Sequence, residues 1–304
     1  MNAPAVDIVI PYFNGIEYLN EAIESVRLQS FQNFRLLVID DGTNNSLAEE
    51  LIESLGDPRI EYQFNKKNIG LSANFEKAKN AIKAEWGVIL GHDDRLHVNY
   101  LEEMLSAVEL APSAVIIQAQ VDVIDQDGSK CNSLPDRAKN LIRLLANLTS
   151  KPIAKNLTLV KSRRAIEAIM VGDFLYFPTI MWKTQVLTAH TFRQDLDITL
   201  DLEIIINVLL GGGDLLLVNK TLAEYRRHKG SLSGKPELKL HRMSEEVGIY
   251  SELAQLFKSR KLRMSYWLAK THIFTRLHIL VEIIRALLNR RYRDFFEYLR
   301  LILL

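Results

Sequence analysis

Short apolar runs alternate with amphipathic segments over the first 120 residues. The runs are continuous and end at turn residues, which predicts buried strands at residues 6–11, 35–39, 60–64, 88–90 and 114–120. Between the runs, apolar residues recur at helical spacing, which predicts helices at residues 17–28, 47–55, from about 72 to 82, and 99–110. Strands and helices that alternate with short connections predict an α/β fold with a mostly parallel sheet and helices on both faces.

Polar side chains cluster at the ends of three of the predicted strands. They are Asn14, Asp40, Asp41, Asp93 and Asp94. The carboxyl ends of parallel strands share one edge of a sheet, and ligands bind at that edge in open α/β sheets. The pattern therefore predicts a binding crevice there.

Asp93 and Asp94 follow a buried strand and Gly91 directly. Adjacent carboxylates repel each other unless a cation lies between them, and hard divalent cations prefer oxygen ligands. The pair therefore indicates a metal–diphosphate site, although Asp is also common in the solvated turn before a helix.

The remainder of the chain gives a coarser pattern. Helical spacing recurs at 161–171 and 204–210, residues 129–195 give little, and from about residue 240 the chain is predicted to be helical. We expect one domain at 1–238, divided at residue 120 into parts 1–120 and 121–238. A basic amphipathic extension would follow at 239–304.

Composition is that of a soluble globular protein, with 304 residues, 48% hydrophobic residues and a net charge of +1. This balance argues against a nucleic-acid partner. The single cysteine excludes an internal disulfide and fits a reducing compartment, and no uninterrupted apolar run reaches the length of a transmembrane helix. We therefore expect a cytoplasmic protein, either free or peripheral at the inner face of the membrane.

Charge is divided unevenly along the chain. Residues 258–304 contain eleven Lys or Arg and three acids, a net +8, so residues 1–257 carry about −7. Aromatic and aliphatic residues lie between the basic ones, as in helices that bind a membrane surface. Another interpretation is equally good: the helices form a pair that covers the domain at 1–238, or they form a homodimer interface.

Several common nucleotide-binding and hydrolytic motifs are absent. The first strand is not followed by G-x-G-x-x-G, and the chain has no G-x-x-x-x-G-K-[ST], no G-x-S-x-G and no metal-binding cysteine cluster. These absences argue against a Rossmann oxidoreductase, a P-loop NTPase and an α/β-hydrolase.

Four motifs in order resemble family 2 glycosyltransferases of the GT-A fold. They are Ile8-Val-Ile-Pro-Tyr-Phe-Asn14, Val38-Ile-Asp-Asp-Gly42, Asn68-Ile-Gly-Leu-Ser-Ala-Asn74 and Gly91-His-Asp-Asp94. The resemblance continues with Leu200-Asp-Leu-Glu203 and with Tyr225-Arg-Arg-His-Lys-Gly-Ser-Leu-Ser233, and so covers about residues 5–235. The Q-x-x-R-W signature of processive synthases is absent, which favours transfer of a single sugar.

The resemblance implies that residues 1–238 are a catalytic domain, with a nucleotide-sugar half at 1–120 and an acceptor half at 121–238. It also implies a site for a nucleotide-diphosphate sugar. Pro11 and Phe13 would contact the base, and Asp41, together with Asp40, would accept a hydrogen bond from a base N–H. Asp93 would face the ribose or phosphate. Asn14 and Asn74 belong to the same motifs and count as substrate-binding candidates, although they also suit turns held by side-chain-to-backbone hydrogen bonds.

The resemblance also implies a metal and a catalytic base. Asp94 and His228 would be ligands of Mg²⁺ or Mn²⁺, and Arg226 would stabilise the leaving diphosphate. Asp201 would remove the proton from the acceptor hydroxyl in an inverting displacement, with Glu203 as the alternative base. The acceptor would be a saccharide or lipid-linked saccharide of surface polysaccharide or glycan biosynthesis.

Two positions depart from the family pattern and keep rival functions open. His92 stands where the acidic triplet normally begins, and Leu200 stands where a Glu often precedes the base. These departures are compatible with a non-catalytic nucleotide- or sugar-binding scaffold. A nucleotidyltransferase is the third interpretation, but residues 12–17 lack the glycine-rich basic loop that such an enzyme needs.

Overall fold

The computed structural model describes residues 3–228 and 238–303. Within these residues, ten strands form one mixed sheet. They are β1 (Val6–Tyr12), β2 (Phe34–Asp40), β3 (Ile60–Phe64), β4 (Trp86–Ile89), β5 (Arg95–Leu96), β6 (Ala114–Ile124), β7 (Lys151–Ala154), β8 (Leu157–Val160), β9 (Ile180–Lys183) and β10 (Asp214–Arg226). Their order is β3-β2-β1-β4-β9-β6-β10-β8-β7, and β5 pairs with β10 outside this row.

The sheet is parallel through its first four strands and again between β6 and β10. β9 lies between β4 and β6 and is antiparallel to both. Sequence analysis did not identify β9, which is four residues long. The predicted strand at 114–120 extends to Ile124, and its partner β10 shows register shifts between Val218 and Ala223.

Helices connect the strands and cover both faces of the sheet. They are α1 (Ile16–Arg27), α2 (Leu47–Leu55), α3 (Leu71–Ala81), α4 (Tyr100–Glu109), α5 (Leu134–Leu148), α6 (Ser162–Val171), α7 (Thr184–Leu187) and α8 (Leu200–Leu210). A short 3-10 helix spans Phe177–Thr179. The four helices predicted in the first 120 residues are all present, within a few residues of the predicted limits.

Each face of the sheet has its own core because alternate strand residues point to opposite sides. Along β1, Val9 belongs to one cluster, with Ile116 and Trp182, whereas Ile8 and Ile10 belong to the other. Every residue of β1 is buried. Its continuous apolar run is thus that of a strand covered on both faces.

One buried ion pair ties the amino ends of three segments together. Asp7 accepts hydrogen bonds from Arg35 Nε at 3.0 Å and Nη2 at 2.9 Å, and from the backbone N–H groups of Lys83 at 2.6 Å and Ala84 at 3.0 Å. Burial acts to raise the pKa of Asp7, but these hydrogen bonds outweigh it and lower the pKa below 3.8. The carboxylate therefore joins β1 to β2 and to the entry into β4.

The chain after residue 238 is helical, as the periodicity predicted. The helices are α9 (Lys239–Ser259), α10 (Arg263–Thr271), α11 (Ile273–Leu288) and α12 (Tyr292–Leu303). Tyr250, Phe257 and Ala269 bury their side chains in the core next to α6 and α8. A separate small cluster, which includes Val247 and Ile283, joins α9, α11 and α12. Among the described residues, no helix is both long and apolar enough to cross a membrane.

Candidate active site

The loops that follow β1, β2 and β4 meet at the carboxyl edge of the sheet. The Asp41 backbone N–H donates to the Tyr12 carbonyl at 2.7 Å, and the Leu90 N–H donates to the Val9 carbonyl at 2.9 Å. The ends of these strands are therefore fixed against each other, and the polar residues beyond them lie at one edge, as the sequence predicted.

Asp41 anchors the loop that leads into α3. Its Oδ1 accepts from the Asn65 side-chain amide and from the Ile69 N–H, both at 2.9 Å, and its Oδ2 accepts from the Gly70 N–H at 3.1 Å. The buried carboxylate keeps one lone pair on Oδ2, which these contacts do not use. Gly42 has φ +77°, and a Cβ at this glycine would lie 2.5 Å from the loop backbone.

Asp40 has a different environment from Asp41. Both of its oxygens are used inside the protein, by the Thr43 N–H at 2.9 Å, the Thr43 hydroxyl at 2.6 Å and the Tyr62 hydroxyl at 2.9 Å. Asp40 is fully buried. Its contacts are those of a residue that holds the turn after β2.

The other predicted base-side residues differ in exposure. Phe13 is 48% exposed and Asn14 is exposed, so a ligand can reach both, whereas Pro11 is buried in the strand. Asn74 is buried, donates to the Ile39 carbonyl at 3.3 Å and accepts from Asn65 at 3.2 Å. Asn74 therefore packs beneath the crevice, while Phe13 offers an open ring face.

Arg226, at the end of β10, is almost fully buried and holds the acidic loop in place. Its backbone N–H donates to Asp94 Oδ1 at 2.9 Å, and its Nε donates to the Asp93 carbonyl at 2.9 Å. Its Nη1 donates to the Gln126 carbonyl at 3.1 Å, and its Nη2 pairs with Glu21. The guanidinium thus joins α1, the loop after β4 and the loop after β6.

His228 contacts Asp93. The distance from His228 Nε2 to Asp93 Oδ2 is 2.9 Å, and the imidazole ring lies 5.1 Å from the Tyr18 ring. Burial acts to raise the pKa of Asp93, but the hydrogen bond with His228 and the nearby His92 outweigh it, so the pKa is lowered. The structure thus brings His228 and Asp93, two of the predicted site residues, together at the crevice.

His92, the departure from the acidic triplet, lies against the first loop. Its Nε2 is 3.6 Å from the position that a Cβ on Gly15 would occupy, and its ring is 6.0 Å from the Tyr12 ring. Burial lowers the pKa of His92. The residue therefore packs between the loops after β1 and β4.

Asp94 has one buried oxygen, Oδ2, without a hydrogen-bond partner among the described residues. Gly91 makes room for the carboxylate, because a Cβ there would lie 2.3 Å from this oxygen. Burial and the neighbouring Asp93 raise the pKa of Asp94. Asp94, Asp93 and His228 offer oxygen and imidazole donors, which suit Mg²⁺ or Mn²⁺. Oδ2 of Asp94, which has no partner among the described residues, therefore fits a divalent cation, whereas His228 Nε2 and Asp93 Oδ2 already contact each other.

Among the described residues, one trio has ligand atoms that all lie within 4.8 Å of one another: Asp197, His241 and Glu245. Asp197 precedes α8, whereas His241 and Glu245 are on α9. Glu245 already accepts from the backbone N–H groups of Asp197, Ile198 and Thr199 at 2.9 to 3.0 Å. Its geometry is that of an anchor for the start of α8.

Asp201 and Glu203 lie in the first turn of α8, which begins at Leu200, four residues earlier than the predicted helix. Asp201 is partly exposed, and its Oδ1 accepts from the Leu202 N–H at 2.8 Å. Burial and the charge of Asp173 raise the pKa of Asp201 to about 6. A pKa close to the working pH suits a general base.

Glu203 is the poorer of the two candidates by its contacts. Its Oε1 accepts from the Asn207 amide at 2.6 Å, and its Oε2 is buried without a hydrogen-bond partner among the described residues. Burial raises the pKa of Glu203 as well. Since its free oxygen is enclosed, an acceptor hydroxyl reaches Asp201 more easily.

Sequence analysis did not predict the contact that joins the end of β10 to α5. Arg227 Nη2 donates to Asp136 Oδ1 at 2.7 Å, and the Tyr176 hydroxyl donates to the same oxygen at 3.2 Å. Lys139 lies 4.6 Å from the centre of the Tyr176 ring. The only local signal was the Ser133-x-x-Asp136 pattern, which forms a capping box at the start of α5.

Residues 229–233 of the last quoted motif lie outside the described residues. Of the remaining positions of that motif, Arg226 and His228 contact the acidic loop, and Arg227 contacts Asp136. Neighbouring residues thus contact different elements, since Arg226 at the end of β10 contacts the acidic loop and Arg227 contacts α5.

The sequence of the chain matches a known protein family. A model described as Glycosyl transferase family 2 matches residues 7–158, which is half of the chain. An uncharacterised glycosyltransferase of Rickettsia felis is 31% identical over 157 residues, covering 51% of this chain and 25% of that protein. One of Methanocaldococcus jannaschii is 32% identical over 132 residues, covering 42% of this chain and 46% of that protein. The chain therefore spans less than half the length of these relatives.

Solved structures confirm the predicted fold class. Residues 1–349 of TarS from S. aureus, crystallised in complex with UDP-GlcNAc, align with a TM-score of 0.60 and 12% identity. The alignment covers 98% of this chain and 90% of that one. The complex of the same TarS fragment with UDP aligns with a TM-score of 0.57, also at 12% identity. The C-terminal helices lie within the aligned part.

Proposed function

Because the chain belongs to glycosyl transferase family 2, we propose that it transfers a single sugar from a nucleotide-diphosphate sugar to an acceptor hydroxyl with inversion. The observation that carries the proposal is the loop at Asp93 and Asp94. Its buried, unpartnered carboxylate oxygen lies at the carboxyl edge of the sheet, next to the loops after β1 and β2. The TarS structures with UDP and UDP-GlcNAc support a nucleotide-sugar ligand for this fold.

The nucleotide would bind between the loops after β1 and β2. Phe13 offers an exposed ring on which a base can stack, and Asp41 Oδ2 keeps a lone pair for a base N–H. Asp40 is committed to Thr43 and Tyr62, so we assign base recognition to Asp41 alone. Asn74 would act indirectly, by holding Asn65 beneath the crevice.

Asp94 would hold a divalent cation, with Asp93 and His228 on the same side. A bound Mg²⁺ or Mn²⁺ would neutralise charge on the diphosphate. Arg226 fixes the carboxylates for this task through its bonds to Asp94 Oδ1 and the Asp93 carbonyl. Its positive charge also lies next to the position proposed for the leaving group.

Asp201 would accept the proton of the acceptor hydroxyl. The oxygen then attacks the anomeric carbon from the face opposite the diphosphate, the bond from that carbon to the diphosphate oxygen breaks, and the anomeric configuration inverts. A pKa of about 6 leaves Asp201 mostly ionised at neutral pH, so it can take this proton.

The acceptor would be a growing surface glycan or its lipid-linked precursor. Residues 258–303 carry a strong positive charge and exposed apolar side chains, as expected of a protein that works at the inner face of a membrane. Asp173, Lys139 and Tyr176 lie on the acceptor side, close to Asp201 or to the Arg227–Asp136 pair.

The test is a calorimetric titration of UDP, GDP and dTDP, with and without Mn²⁺. We expect one nucleotide to bind the wild type only when metal is present, and Asp94→Ala to abolish that binding. Asp127→Ala, which removes an exposed acid from a nearby turn, is the matched control and should bind normally. If no nucleotide binds the wild type in any combination, the proposed donor site is wrong.

A further inference from the structure

Helix α11 has an apolar stripe that no described residue covers. It consists of Ile273, Phe274, Leu277, Leu280, Val281, Ile284, Leu287 and Leu288, which are each 43% to 77% exposed. The opposite side of the helix buries Ile279, Ile283 and Ala286 in the small C-terminal cluster. An isolated exposed Leu is ordinary, but a stripe along the whole helix indicates a contact surface.

Helix α5, more than a hundred residues earlier, has a similar stripe. Leu134, Leu141, Leu144, Leu145 and Leu148 are 49% to 78% exposed and recur at helical spacing. These residues were not predicted to belong to any interaction surface.

The two helices approach each other at Gly172. From the position of a Cβ on that glycine, Ile142 Cδ1 of α5 is 2.6 Å away and Phe274 Cδ2 of α11 is 3.7 Å away. Met264 and Trp267 on α10, and Tyr292, Phe296, Leu299 and Leu303 on α12, add exposed apolar side chains. We call the exposed apolar residues of α5, α10, α11 and α12 the apolar face.

Basic side chains accompany the apolar face. Seven exposed ones have no ion pair among the described residues: Lys258, Arg260, Lys261, Arg263, Lys270, Arg290 and Arg293. A second copy of the chain would bring a second set of the same charges to this surface, whereas anionic lipid headgroups would neutralise them. Charge therefore favours a membrane over self-association.

The dimensions also suit a helix that lies in the membrane surface. The stripe on α11 covers 16 residues, or about 24 Å at 1.5 Å per residue. No described helix could cross the bilayer. Amphipathic helices of this kind place their apolar side in the boundary between headgroups and acyl chains.

The apolar face borders the acceptor side of the site. Gly172, which lies between Ile142 of α5 and Phe274 of α11, immediately precedes Asp173, and Asp173 acts electrostatically on Asp201. Lys139, on α5 itself, acts on Asp201 too. A membrane bound at the apolar face would therefore lie next to the proposed base.

We propose that the apolar face, with its basic side chains, docks on an anionic phospholipid bilayer and holds the acceptor side of the site at the headgroups. The part that concerns the acceptor rests on the proposed sugar transfer. The docking itself does not, because it follows from exposure and charge alone.

Co-sedimentation with vesicles of phosphatidylcholine, with and without phosphatidylglycerol, tests the docking. We expect the wild type to bind only the anionic vesicles and to dissociate as salt is added. Arg290→Ala with Arg293→Ala should weaken binding about 30-fold, at about fivefold for each charge. Lys83→Ala, at the amino edge of the sheet, is the charge control and should bind as the wild type does.

Two apolar variants test the extent of the face. Leu277→Glu with Ile284→Glu on α11, and separately Leu141→Glu with Leu145→Glu on α5, should each abolish vesicle binding. Leu28→Glu, which alters an equally exposed leucine after α1, should not. If the α5 variant binds normally, α5 is not part of the docking surface and the proposal fails in its present form.

Sedimentation velocity without lipid tests the alternative, in which a second copy of the chain covers the apolar face. A dimer that Leu277→Glu with Ile284→Glu dissociates, in a protein that ignores anionic vesicles, would overturn the proposal in favour of self-association. Titration of UDP, GDP and dTDP, each with and without Mn²⁺, on the wild type and the same variants distinguishes the two proposals. A wild type that binds anionic vesicles but none of the three nucleotides would refute the proposed function and leave the docking surface intact.

Discussion

Replacement of Asp201 by asparagine tests the catalytic assignment directly. The substitution keeps the shape of the side chain and removes its ability to accept a proton. We expect the transfer rate to fall about 100- to 10,000-fold, the usual contribution of a general base. The dissociation constant of the nucleotide should stay the same, because Asp201 belongs to the acceptor side. Stability at neutral pH should not fall, since burial already disfavours the ionised carboxylate.

The raised pKa of Asp201 determines how steeply the transfer rate should fall with pH. With a pKa of about 6, Asp201 is about nine-tenths ionised at pH 7 and about one-tenth ionised at pH 5. Transfer at subsaturating substrate should therefore drop about tenfold per pH unit below 6. A carboxylate at the ordinary value of 3.8 would leave the rate flat down to about pH 4.

The assay is initial-rate sugar transfer across this pH range, on the wild type, Asp201→Asn and Glu203→Gln. Glu203→Gln is the matched control, because it alters the neighbouring acid in the same helical turn. If Glu203→Gln abolishes transfer while Asp201→Asn retains it, Glu203 is the base. If the profile is flat to pH 4, the raised pKa has no part in the reaction.

Two further predictions concern residues that hold the fold together, one at the amino edge of the sheet and one next to the start of α8. Asp7→Asn should lower the free energy of unfolding by about 3 kcal/mol at pH 7, because it leaves Arg35 without its buried partner. Because the pKa of Asp7 is lowered in the folded state, this difference should be full above about pH 4 and shrink as pH falls further, which urea unfolding at several pH values would detect. A difference that persists unchanged at pH 2 would contradict this account. Glu245→Gln should cost about 2 kcal/mol and slow transfer without weakening nucleotide binding, because an amide N–H would face the backbone donors before α8. Thermal unfolding with parallel nucleotide titration checks it, and weakened nucleotide binding would show that Glu245 acts on the donor side instead.

The structure of the first 120 residues could be predicted from sequence because its signals are local. Each buried parallel strand is a continuous apolar run, and the acids that follow it must lie at one edge. The places of Asp41, Asp93 and Asp94 at that edge follow from this pattern alone. Their partners could not be predicted, because Ile69, Gly70 and Arg226 reach them over 28 to 132 residues of chain.

Residues 121–228 were poorly predicted because their contacts, too, are made with residues far away in the sequence. Strand β9 is four residues long, and its pairing with β4 and β6 depends on strands about 60 to 100 residues away. Asp136 looks like an ordinary helix cap until Arg227 and Tyr176 meet it. The exposed leucines of α5 fit a helical repeat, but only the tertiary structure shows which face is open.

The position of β9 has a consequence for how the protein folds. β4 and β6 are both complete by residue 124, yet the strand that joins them is made only at residues 180–183. A nascent chain that has reached residue 158, where the family model ends, still exposes the facing edges of both strands. The high contact order predicts slow closure of the sheet, and until β9 arrives these open edges are the part of the chain most prone to aggregate. A truncated chain that ends at residue 158 would never acquire β9, so the facing edges of β4 and β6 would stay open.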